Sequence, residues 1–389
     1  MTPASSTRQI AIVGAGIMGR LLAWQLINRP ESVTVTLFDK DPIDNGGAAA
    51  YTAAGMLAPY SELESAEFDV FEMGMASLAR WPAVLSSINA TVHPPLTLFS
   101  GGTLVVAHQQ DMADFQRFYQ HLVTKLPSVL LDDSAAHMQV LQQAQLQLYA
   151  PQLATRFNNA LYLPNEAWLD TNQVMQGLAT YLQANGVHWQ ANCHVSKIEN
   201  IAKGKHAGRA AVHLPSAKQV FDHVIDCRGL GAKRDFTTQK SQQLRGVRGE
   251  VITLHAPDVT LKHAVRLIHP RYKLYIAPRD AHHFVIGASQ IESEDQGPIS
   301  VRSTLELLSA AYSIDAGFAE AKILNCASNC RPAFTDNLPK ISCNKRVMQI
   351  NGLFRHGYLL APYLAQQACE RLFSRAQALP FSELIQEVS

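Results

Sequence analysis

Apolar positions near the start of the chain change from strand spacing to helix spacing and back. Residues 10–13 are a short apolar run, and residues 21–27 carry apolar side chains on one face of a helix. Residues 33–38 are rich in β-branched side chains and alternate apolar with polar. Residues 10–39 are therefore predicted to form a strand, a glycine loop, a helix and a second strand, which is one βαβ unit.

The same spacings continue through the rest of the chain and predict both kinds of element. Helical spacing predicts helices over 62–80, 111–126, 134–148, 170–185, 303–312 and 363–375. Short or alternating apolar runs predict strands over 101–107, 160–163, 187–190, 224–226, 251–254, 274–277 and 283–287. The last three alternate as antiparallel strands do. The chain is therefore predicted to mix helices and strands in an α/β (α+β mixed) fold.

Length and charge narrow the class of protein. The chain has 389 residues, of which 47% are hydrophobic and 17% charged, which predicts a globular protein of about two domains. The formal net charge is +1, which gives no field to attract a phosphate backbone, so no nucleic-acid partner is expected. No apolar run approaches the roughly 20 residues that span a bilayer. The polar N-terminus runs straight into a strand, and we expect a cytoplasmic protein without an integral membrane segment.

The cysteines give no sign of a metal site or a disulfide framework. All six lie at or beyond residue 193, and none forms a Cys-x-x-Cys pair. We expect reduced thiols, most of them buried, and no metal; the residues are Cys193, Cys227, Cys326, Cys330, Cys343 and Cys369.

The glycine loop of the βαβ unit has the spacing of a dinucleotide site. In Gly14-Ala-Gly16-Ile-Met-Gly19 the first glycine allows a tight turn and the second lets a pyrophosphate approach. The third glycine lets the helix pack closely on the strand, and the helix N-terminus favours the diphosphate charge. Asp39 ends the second strand, 20 residues after Gly19, where a carboxylate accepts hydrogen bonds from a ribose. The motif predicts a dinucleotide but does not choose between NAD and FAD.

Five further segments, in order along the chain, resemble those of one flavoprotein family. They are Thr52-Ala-Ala-Gly-Met-Leu-Ala-Pro59, Cys227-Arg-Gly-Leu-Gly-Ala232, Val247-Arg-Gly-Glu-Val251, Cys330-Arg-Pro-Ala-Phe-Thr-Asp336 and Phe354-Arg-His-Gly-Tyr-Leu-Leu-Ala-Pro362. The first is followed by the acidic residues Glu62, Glu64 and Glu67. On these motifs the chain resembles the FAD-dependent D-amino acid oxidase superfamily, and most of all glycine oxidase of the ThiO type.

The resemblance implies a particular division into domains. A Rossmann-like FAD-binding domain is expected to be discontinuous, built from residues 1–61, 165–240 and 325–389. A second, substrate-binding domain is expected from 62–164 and 241–324, with a mixed, largely antiparallel sheet. The alternating strand patterns between 251 and 287 agree with that expectation.

Carried over position by position, the resemblance also implies how FAD is held. Asp39 with Lys40 is expected at the adenosine ribose, the backbone of Val195 at the adenine, and the N-terminus of the final helix at the flavin ring. Sarcosine oxidases of this superfamily attach FAD through a cysteine, but Cys330 is one residue out of that register, so FAD is expected to be non-covalent. The implied cofactor-binding residues are Gly14, Gly16, Ile17, Met18, Gly19, Asp39, Lys40, Ala54, Gly55, Met56, Val195, Gly229, Leu353, Phe354, Arg355, His356, Gly357, Tyr358 and Leu359.

The substrate site is implied by the same comparison. An amino acid offers a carboxylate, which a planar guanidinium holds with two parallel hydrogen bonds. Arg331 matches the substrate arginine of the family, Tyr275 matches a tyrosine that supports the carboxylate, and Arg355 matches a second arginine near flavin and substrate. His356 stands where the family has asparagine, so it either touches the substrate or only packs.

The sequence departs from the family in ways that bear on the substrate. The family's Trp-Ala-Gly before the arginine is Ala327-Ser-Asn329 here, which removes a large aromatic and predicts a wider pocket than glycine needs. Ala49, Ala50 and Tyr51 stand where hydroxyl residues are expected, which removes expected hydrogen bonds to FAD.

The resemblance implies FAD-dependent oxidative deamination of a small or medium amino acid or secondary amine, of the glycine, sarcosine or D-amino acid type. A hydride passes to flavin N5, and O2 is the expected acceptor, giving H2O2. The alternatives are a dehydrogenase that passes electrons to a quinone or carrier, a flavoprotein acting on a larger or tRNA-borne amine, an NAD-dependent dehydrogenase and a non-catalytic flavoprotein. The exact substrate and its chirality stay open. The oligomeric state stays open as well, with a homo-oligomer among the alternatives.

Overall fold

The computed structural model describes residues 7–236, 243–269, 271, 273–373 and 385–387. The chain ends and residues 237–242, which span the predicted boundary between the FAD-binding segment 165–240 and the substrate-binding segment 241–324, lie outside the described residues. The strands are β1 (Arg8–Val13), β2 (Val33–Phe38), β3 (Met56–Leu57), β4 (Leu98–Phe99), β5 (Thr103–Val106), β6 (Gln139–Gln142), β7 (Asn159–Leu163), β8 (Ala167–Leu169), β9 (His188–Gln190), β10 (Lys197–Asn200), β11 (Ala210–His213), β12 (Lys218–Phe221), β13 (His223–Asp226), β14 (Arg245–His255), β15 (Ala264–Leu267), β16 (Leu274–Pro278), β17 (His283–Gly287), β18 (Lys322–Ala333), β19 (Lys340–Asn344), β20 (Val347–Asn351) and β21 (Ile385–Glu387).

The helices cover most of the segments with helical spacing. They are α1 (Ile17–Ile27), α2 (Pro59–Glu62), α3 (Phe68–Leu78), α4 (Trp81–Asn89), α5 (Met112–Lys125), α6 (Ser128–Asp132), α7 (Ser134–His137), α8 (Gln143–Tyr149), α9 (Pro151–Ala154), α10 (Thr171–Ala184), α11 (Val301–Ile314) and α12 (Gly357–Phe373). No helix of the described residues is long and apolar enough to cross a membrane.

The first large sheet contains the βαβ unit. Its seven strands run in the order β21-β19-β20-β13-β1-β2-β9, and β1 pairs in parallel with both β2 and β13. Helices α1, α10 and α12 bury their apolar side chains in one core beside this sheet. The predicted strand, glycine loop, helix and strand over residues 10–39 are confirmed.

The second large sheet has eight strands in the order β18-β14-β17-β16-β15-β5-β7-β6. Its pairs are antiparallel except for β15 with β5, so the predicted mixed, largely antiparallel sheet is confirmed. Separate apolar clusters contain side chains from this sheet. Strand β18 runs across the predicted domain boundary at residue 325, and the division into two domains stays a prediction. Two three-stranded sheets, β10-β11-β12 and β3-β8-β4, complete the described strands.

The single helix predicted over 62–80 is wrong, because α2 ends at Glu62 and α3 begins at Phe68. Lys125 donates hydrogen bonds to the carbonyls of Leu63 (2.8 Å) and Ala66 (3.0 Å) at this break. Carbonyls that a helix end leaves without partners are thereby satisfied. The apolar spacing continues across the break, so the pattern alone does not reveal it.

The helix predicted over 134–148 is also wrong. Residues Gln139–Gln142 form strand β6, which pairs antiparallel with β7. A new helix, α8, begins after Gln142, whose side chain and that of Gln145 form a reciprocal capping box. Pairing with a strand that lies about 20 residues further along the chain overrides the local helical spacing.

The final helix begins at Gly357, six residues before the predicted start at Tyr363, and its last described residue is Phe373. The residues predicted beyond Phe373 lie outside the described ones. Pro362 lies inside α12 and leaves the Tyr358 carbonyl without its helical donor. The Trp81 indole N–H donates to that carbonyl (3.1 Å), which allows the helix to continue through the proline.

Candidate functional site

A cavity of about 680 Å³ extends from the glycine loop to strands of the eight-stranded sheet. It brings together residues that are as far apart in the sequence as Val13 and Leu359. Every sequence-predicted site residue except Gly19 lines it, namely Gly14, Gly16, Ile17, Met18, Asp39, Lys40, Ala54, Gly55, Met56, Val195, Gly229, Tyr275, Arg331, Leu353, Phe354, Arg355, His356, Gly357, Tyr358 and Leu359.

The glycine loop turns tightly between β1 and α1. Gly14 has φ +104°, and a side-chain carbon there would lie 2.5 Å from the Cys227 carbonyl oxygen. A carbon at Gly19 would overlap the Gly14 carbonyl, so Gly19 allows the helix to pack on the loop and does not face the cavity. A carbon at Gly16 would have its nearest neighbour at 3.9 Å, so this glycine leaves open space on the cavity side.

The carboxylate of Asp39 lies beside this loop at the end of β2. One oxygen accepts from the Asp41 amide (2.8 Å), and the other accepts from the Ala15 amide within the loop. Asp39, Lys40 and Val195 line the same end of the cavity. A ribose and an adenine bound there would meet the groups that a dinucleotide site supplies.

The C-terminal segment enters the cavity through a turn that only glycine fits. Gly352 has φ +77°, and a side chain there would overlap the ring of Phe334. Helix α12 begins five residues later, so its unpaired amide groups lie at the cavity wall. The Tyr358 hydroxyl donates to the carbonyls of Ala50 (3.1 Å) and Thr171 (3.2 Å), which fixes this first turn against the N-terminal segment.

At the other end of the cavity Arg331 has no carboxylate partner among the described residues. Its Nη1 donates only to the carbonyls of Ser289 (3.2 Å) and Arg248 (3.4 Å). The guanidinium lies over Gly249 on the neighbouring strand, where any side chain would collide with it. Burial, with a further contribution from Arg355, lowers the pKa of Arg331 to about 10, so the side chain stays charged at neutral pH.

Tyr275 is 2% exposed, and its hydroxyl has no hydrogen-bond partner among the described residues. Burial raises its pKa far above the ordinary value, although the charge of Arg266 acts in the opposite direction. The hydroxyl is therefore protonated and free to donate. A buried polar group without a partner costs free energy unless a ligand satisfies it.

Glu62, which the sequence analysis did not assign to the site, forms its most connected group. Its Oε2 lies 3.0 Å from His356 Nε2, 3.2 Å from Lys273 Nζ and 3.3 Å from Arg355 Nε. Burial alone would raise the pKa of Glu62, but the charges of Arg355 and Lys273 and the hydrogen bond from His356 hold it well below the ordinary value. Glu62 is therefore an ionised carboxylate that orients three side chains.

Lys273 and His356 have pKa values below their ordinary ranges. Burial lowers the pKa of Lys273 to about 8, against the attraction of Glu62. Burial also lowers the pKa of His356, and its Nδ1 is buried without a partner among the described residues. Because the ionised Glu62 only accepts hydrogen bonds, we assign the proton of neutral His356 to Nε2, which leaves Nδ1 as an acceptor.

A smaller cavity of about 220 Å³ adjoins this end of the site. Its wall includes Arg266, Glu64 and Lys273, and it shares Gln290 and Arg355 with the large cavity. Arg266 is fully buried and pairs with Glu64. One sign of this cluster is visible in the sequence, namely the three acidic residues after the Thr52–Pro59 motif. Nothing local links them to residues 266 and 273.

The residues present fit FAD. The cavity has a glycine loop for a diphosphate, a carboxylate for a ribose and, next to Ile17 of the loop segment, the N-terminus of α12. Cys330 donates its thiol to the carbonyls of Asp295 (3.5 Å) and Ser293 (3.7 Å). All six cysteines are free of disulfides, and the described residues contain no cluster able to hold a metal ion.

A dinucleotide loop at one end of the cavity, and at the other a guanidinium without a carboxylate partner among the described residues, are features of dinucleotide-dependent oxidoreductases. Residues 9–371 match the family described as FAD dependent oxidoreductase. The chain therefore belongs to that family, and FAD is its cofactor.

Individual relatives agree with the family. The chain is 34% identical over 367 residues to a protein of Rhizobium etli named as a thiamine biosynthesis oxidoreductase, ThiO, covering 94% of this chain and 97% of that one. The structure resembles glycine oxidase from Geobacillus kaustophilus with a TM-score of 0.80 at 21% identity, over 97% of this chain and 98% of that one. It also resembles iminodiacetate oxidase from a Chelativorans species with a TM-score of 0.79 at 18% identity, over 97% and 99%. The predicted family, fold class and cofactor are confirmed.

Proposed function

We propose that this enzyme oxidises a small or medium amino acid or secondary amine, with O2 as the electron acceptor and H2O2 as a product. One observation carries the proposal. A charged guanidinium, that of Arg331, faces the cofactor cavity with no carboxylate partner among the described residues. A charge held this way is stabilised when a substrate carboxylate binds it.

The substrate carboxylate accepts two parallel hydrogen bonds from Arg331 and a third from the Tyr275 hydroxyl. Both groups are held rigidly, Arg331 by two carbonyls over Gly249 and Tyr275 by burial within β16. Bound FAD supplies the hydride acceptor, N5 of its flavin ring. The role of the protein is to position the α-carbon of the substrate next to that acceptor.

His356 is placed to handle the substrate amine. Its Nε2–H is held by Glu62, so its Nδ1 accepts a hydrogen bond from the substrate N–H. A neutral amine releases a hydride more readily than an ammonium, and a neutral imidazole helps keep the amine in that form. Glu62 in turn fixes the imidazole and Arg355 in one orientation.

The names of the relatives support a small amine as substrate. The Rhizobium protein is named as an oxidoreductase of thiamine biosynthesis, and the two structural neighbours are named as oxidases of glycine and of iminodiacetate. These activities belong to those proteins. Glycine and iminodiacetate share an amine next to a carboxylate, which is the pattern that Arg331, Tyr275 and His356 would hold.

The test is anaerobic reduction of the bound flavin by glycine, sarcosine, D-alanine and L-proline. Rapid loss of the flavin absorbance band with at least one of them is expected, and admitting air should then restore the band and release H2O2. A yellow protein that none of these amines reduces would contradict the proposal. A reduced flavin that air leaves bleached, but that a quinone reoxidises, would replace O2 by a carrier as the acceptor.

A further inference from the structure

The substrate end of the site carries more positive charge than one carboxylate would balance. Arg266, Lys273 and Arg355 are linked by ion pairs to two carboxylates, Glu62 and Glu64. One positive charge of this cluster is therefore left over. It is additional to the charge of Arg331, which has no carboxylate partner among the described residues.

Of the other titratable groups nearby, Glu166 offsets this excess in part, because it interacts with Arg266 and burial raises its pKa to about 7. The pKa of His356 is lowered, so it is neutral near pH 7. Arg271 lies at the mouth of the smaller cavity and forms its own ion pair with Glu306. Where Glu166 is protonated, below about pH 7, two unbalanced charges thus remain at one end of a cavity in which a small substrate binds.

The two unbalanced charges lie on either side of one short stretch of backbone. Ser289 accepts from Arg331 through its carbonyl (3.2 Å), and the next residue, Gln290, accepts from Arg355 through its side chain (3.3 Å). Adjacent α-carbons are about 3.8 Å apart, so the two cationic groups are within the reach of one small molecule. Gln290 and Arg355 also line both cavities and so mark where the large cavity meets the small one.

We propose that the substrate is an amine with two carboxylates, one bound by Arg331 and Tyr275 and the second received by Arg355 and Lys273 at the junction of the two cavities. This rests on the proposed amine oxidation and names its substrate class. The smaller cavity gives the second carboxylate room, with Lys273 and Arg266 in its wall. Bringing an anion next to buried cations offsets the desolvation that they suffer in its absence.

The first experiment uses the wild-type holoenzyme and two matched pairs of amines. N-(carboxymethyl)glycine is compared with N-ethylglycine, and D-glutamate with D-norvaline, by anaerobic flavin reduction at increasing amine concentration. In at least one pair the dicarboxylate should half-saturate reduction at a concentration about tenfold or more below that of its neutral partner, the range of a charge-assisted hydrogen bond. Equal or weaker binding of the dicarboxylate in both pairs would overturn the inference while leaving amine oxidation intact. If no amine of either pair reduces a flavin that glycine, sarcosine, D-alanine or L-proline does reduce, the inference fails alone; if none of these eight amines reduces it, amine oxidation fails as well.

Variants locate the second carboxylate. Lys273→Met keeps the length of the side chain and should remove most of the dicarboxylate advantage, measured as the ratio of the two half-saturating concentrations within each pair. Lys273→Arg keeps the charge and should retain the advantage. The control is Lys218→Met, because Lys218 also pairs with a glutamate, Glu199, but lies in the separate three-stranded sheet. If Lys273→Met raises the half-saturating concentration of the dicarboxylate and of its neutral partner by the same factor, the assignment of Lys273 to the second carboxylate is overturned.

Discussion

The position of the Arg331 guanidinium depends on Gly249, a residue without a side chain. Gly249 lies on β14 beside β18, and the guanidinium occupies the space that a side chain there would fill. Two backbone carbonyls then hold the charge without neutralising it. The arginine is therefore fixed in place and still able to form a full ion pair with a ligand.

Replacing Arg331 with alanine should weaken amino acid binding by a few kcal/mol, the scale of a lost charge-assisted pair. Arg331→Lys should recover only part of this loss, because an ammonium lacks the planar fork of donors. Both variants should stay yellow, since the glycine loop and α12 are untouched. The measurement is half-saturation of anaerobic flavin reduction. An Arg331→Ala enzyme with unchanged KM and kcat would remove Arg331 from substrate binding.

Glu166 allows a test of stability against pH. It is 1% exposed, its two oxygens accept from the amide (2.6 Å) and hydroxyl (3.0 Å) of Ser61, and burial raises its pKa to about 7. The folded protein therefore binds one more proton than the unfolded chain between pH 4.5 and about 7. The free energy of unfolding falls as pH rises through this window, by roughly 3 kcal/mol at most.

Glu166→Gln keeps both contacts with Ser61 but does not titrate. Its Tm should exceed that of the wild type by more at pH 8 than at pH 5, because the wild type alone has to bury a charge at the higher pH. The exposed Glu67→Gln serves as the control and should show no such difference. A Glu166→Gln effect that is the same at both pH values would refute the raised pKa.

Motif residues that lie within one segment also lie together in the structure. Gly14, Gly16, Ile17 and Met18 of the glycine loop line the cavity, and so do residues 353–359. The cluster around Glu62 escaped prediction, because its members come from residues 62, 273 and 356, which are brought together only when both sheets have formed. No local spacing marks a contact of that kind.

At the scale of elements, α12 shows how neighbouring helices support a break in backbone hydrogen bonding. Pro362 removes the donor for the Tyr358 carbonyl, and the Trp81 indole replaces it. The amide of Tyr363 leaves the helical pattern as well and donates to the Ser77 hydroxyl (3.0 Å). Helices α3 and α4 thus hold the start of α12 where it meets the cavity.

Trp81→Phe should lower the free energy of unfolding by about 1–3 kcal/mol, because it leaves the Tyr358 carbonyl buried without a donor. In a Pro362→Ala background the same substitution should cost less, since the new alanine amide can donate to that carbonyl. Urea unfolding of the four proteins of this cycle measures the coupling. Equal costs in both backgrounds would show that Trp81 acts through packing alone.

The predicted helices and strands agree with the structure where the pattern is local. They differ where a contact with residues distant in the sequence determines the local structure. The βαβ unit carries its own signal in 30 residues. Gln139–Gln142 forms a strand because β7 supplies its hydrogen-bond partners. Helix α12 begins before the predicted start because the Trp81 indole donates the hydrogen bond to the Tyr358 carbonyl that Pro362 cannot donate. In both cases the deciding group lies outside any window in which periodicity is measured.

At the scale of the whole molecule, the cavity has walls from both large sheets, so the cofactor should contribute to the stability of both.

Cys330 is the cysteine nearest in sequence to the position at which sarcosine oxidases attach FAD. Its thiol already donates to backbone carbonyls. Acid precipitation should therefore release all the flavin into the supernatant, where its absorbance can be measured. Flavin that stays with the pellet would indicate a covalent bond.

Removing FAD without denaturing the protein should lower its Tm, and adding FAD back should restore it. A ligand at a thousandfold excess over its Kd stabilises the folded state by about 4 kcal/mol. Riboflavin, which lacks the diphosphate and adenosine, is the matched control and should restore far less. Equal recovery with riboflavin would show that the glycine loop and Asp39 contribute little to binding.

The lining of the cavity has a consequence for biosynthesis. Its first wall, the turn after β1, emerges early from the ribosome, while the segment that closes it, residues 353–359, is made more than 300 residues later. Chains are synthesised at about 5–20 residues per second, so the glycine loop exists for tens of seconds before its counterpart does. During that interval one wall of the cavity is absent. A complete FAD site therefore forms only after nearly the whole chain has been translated.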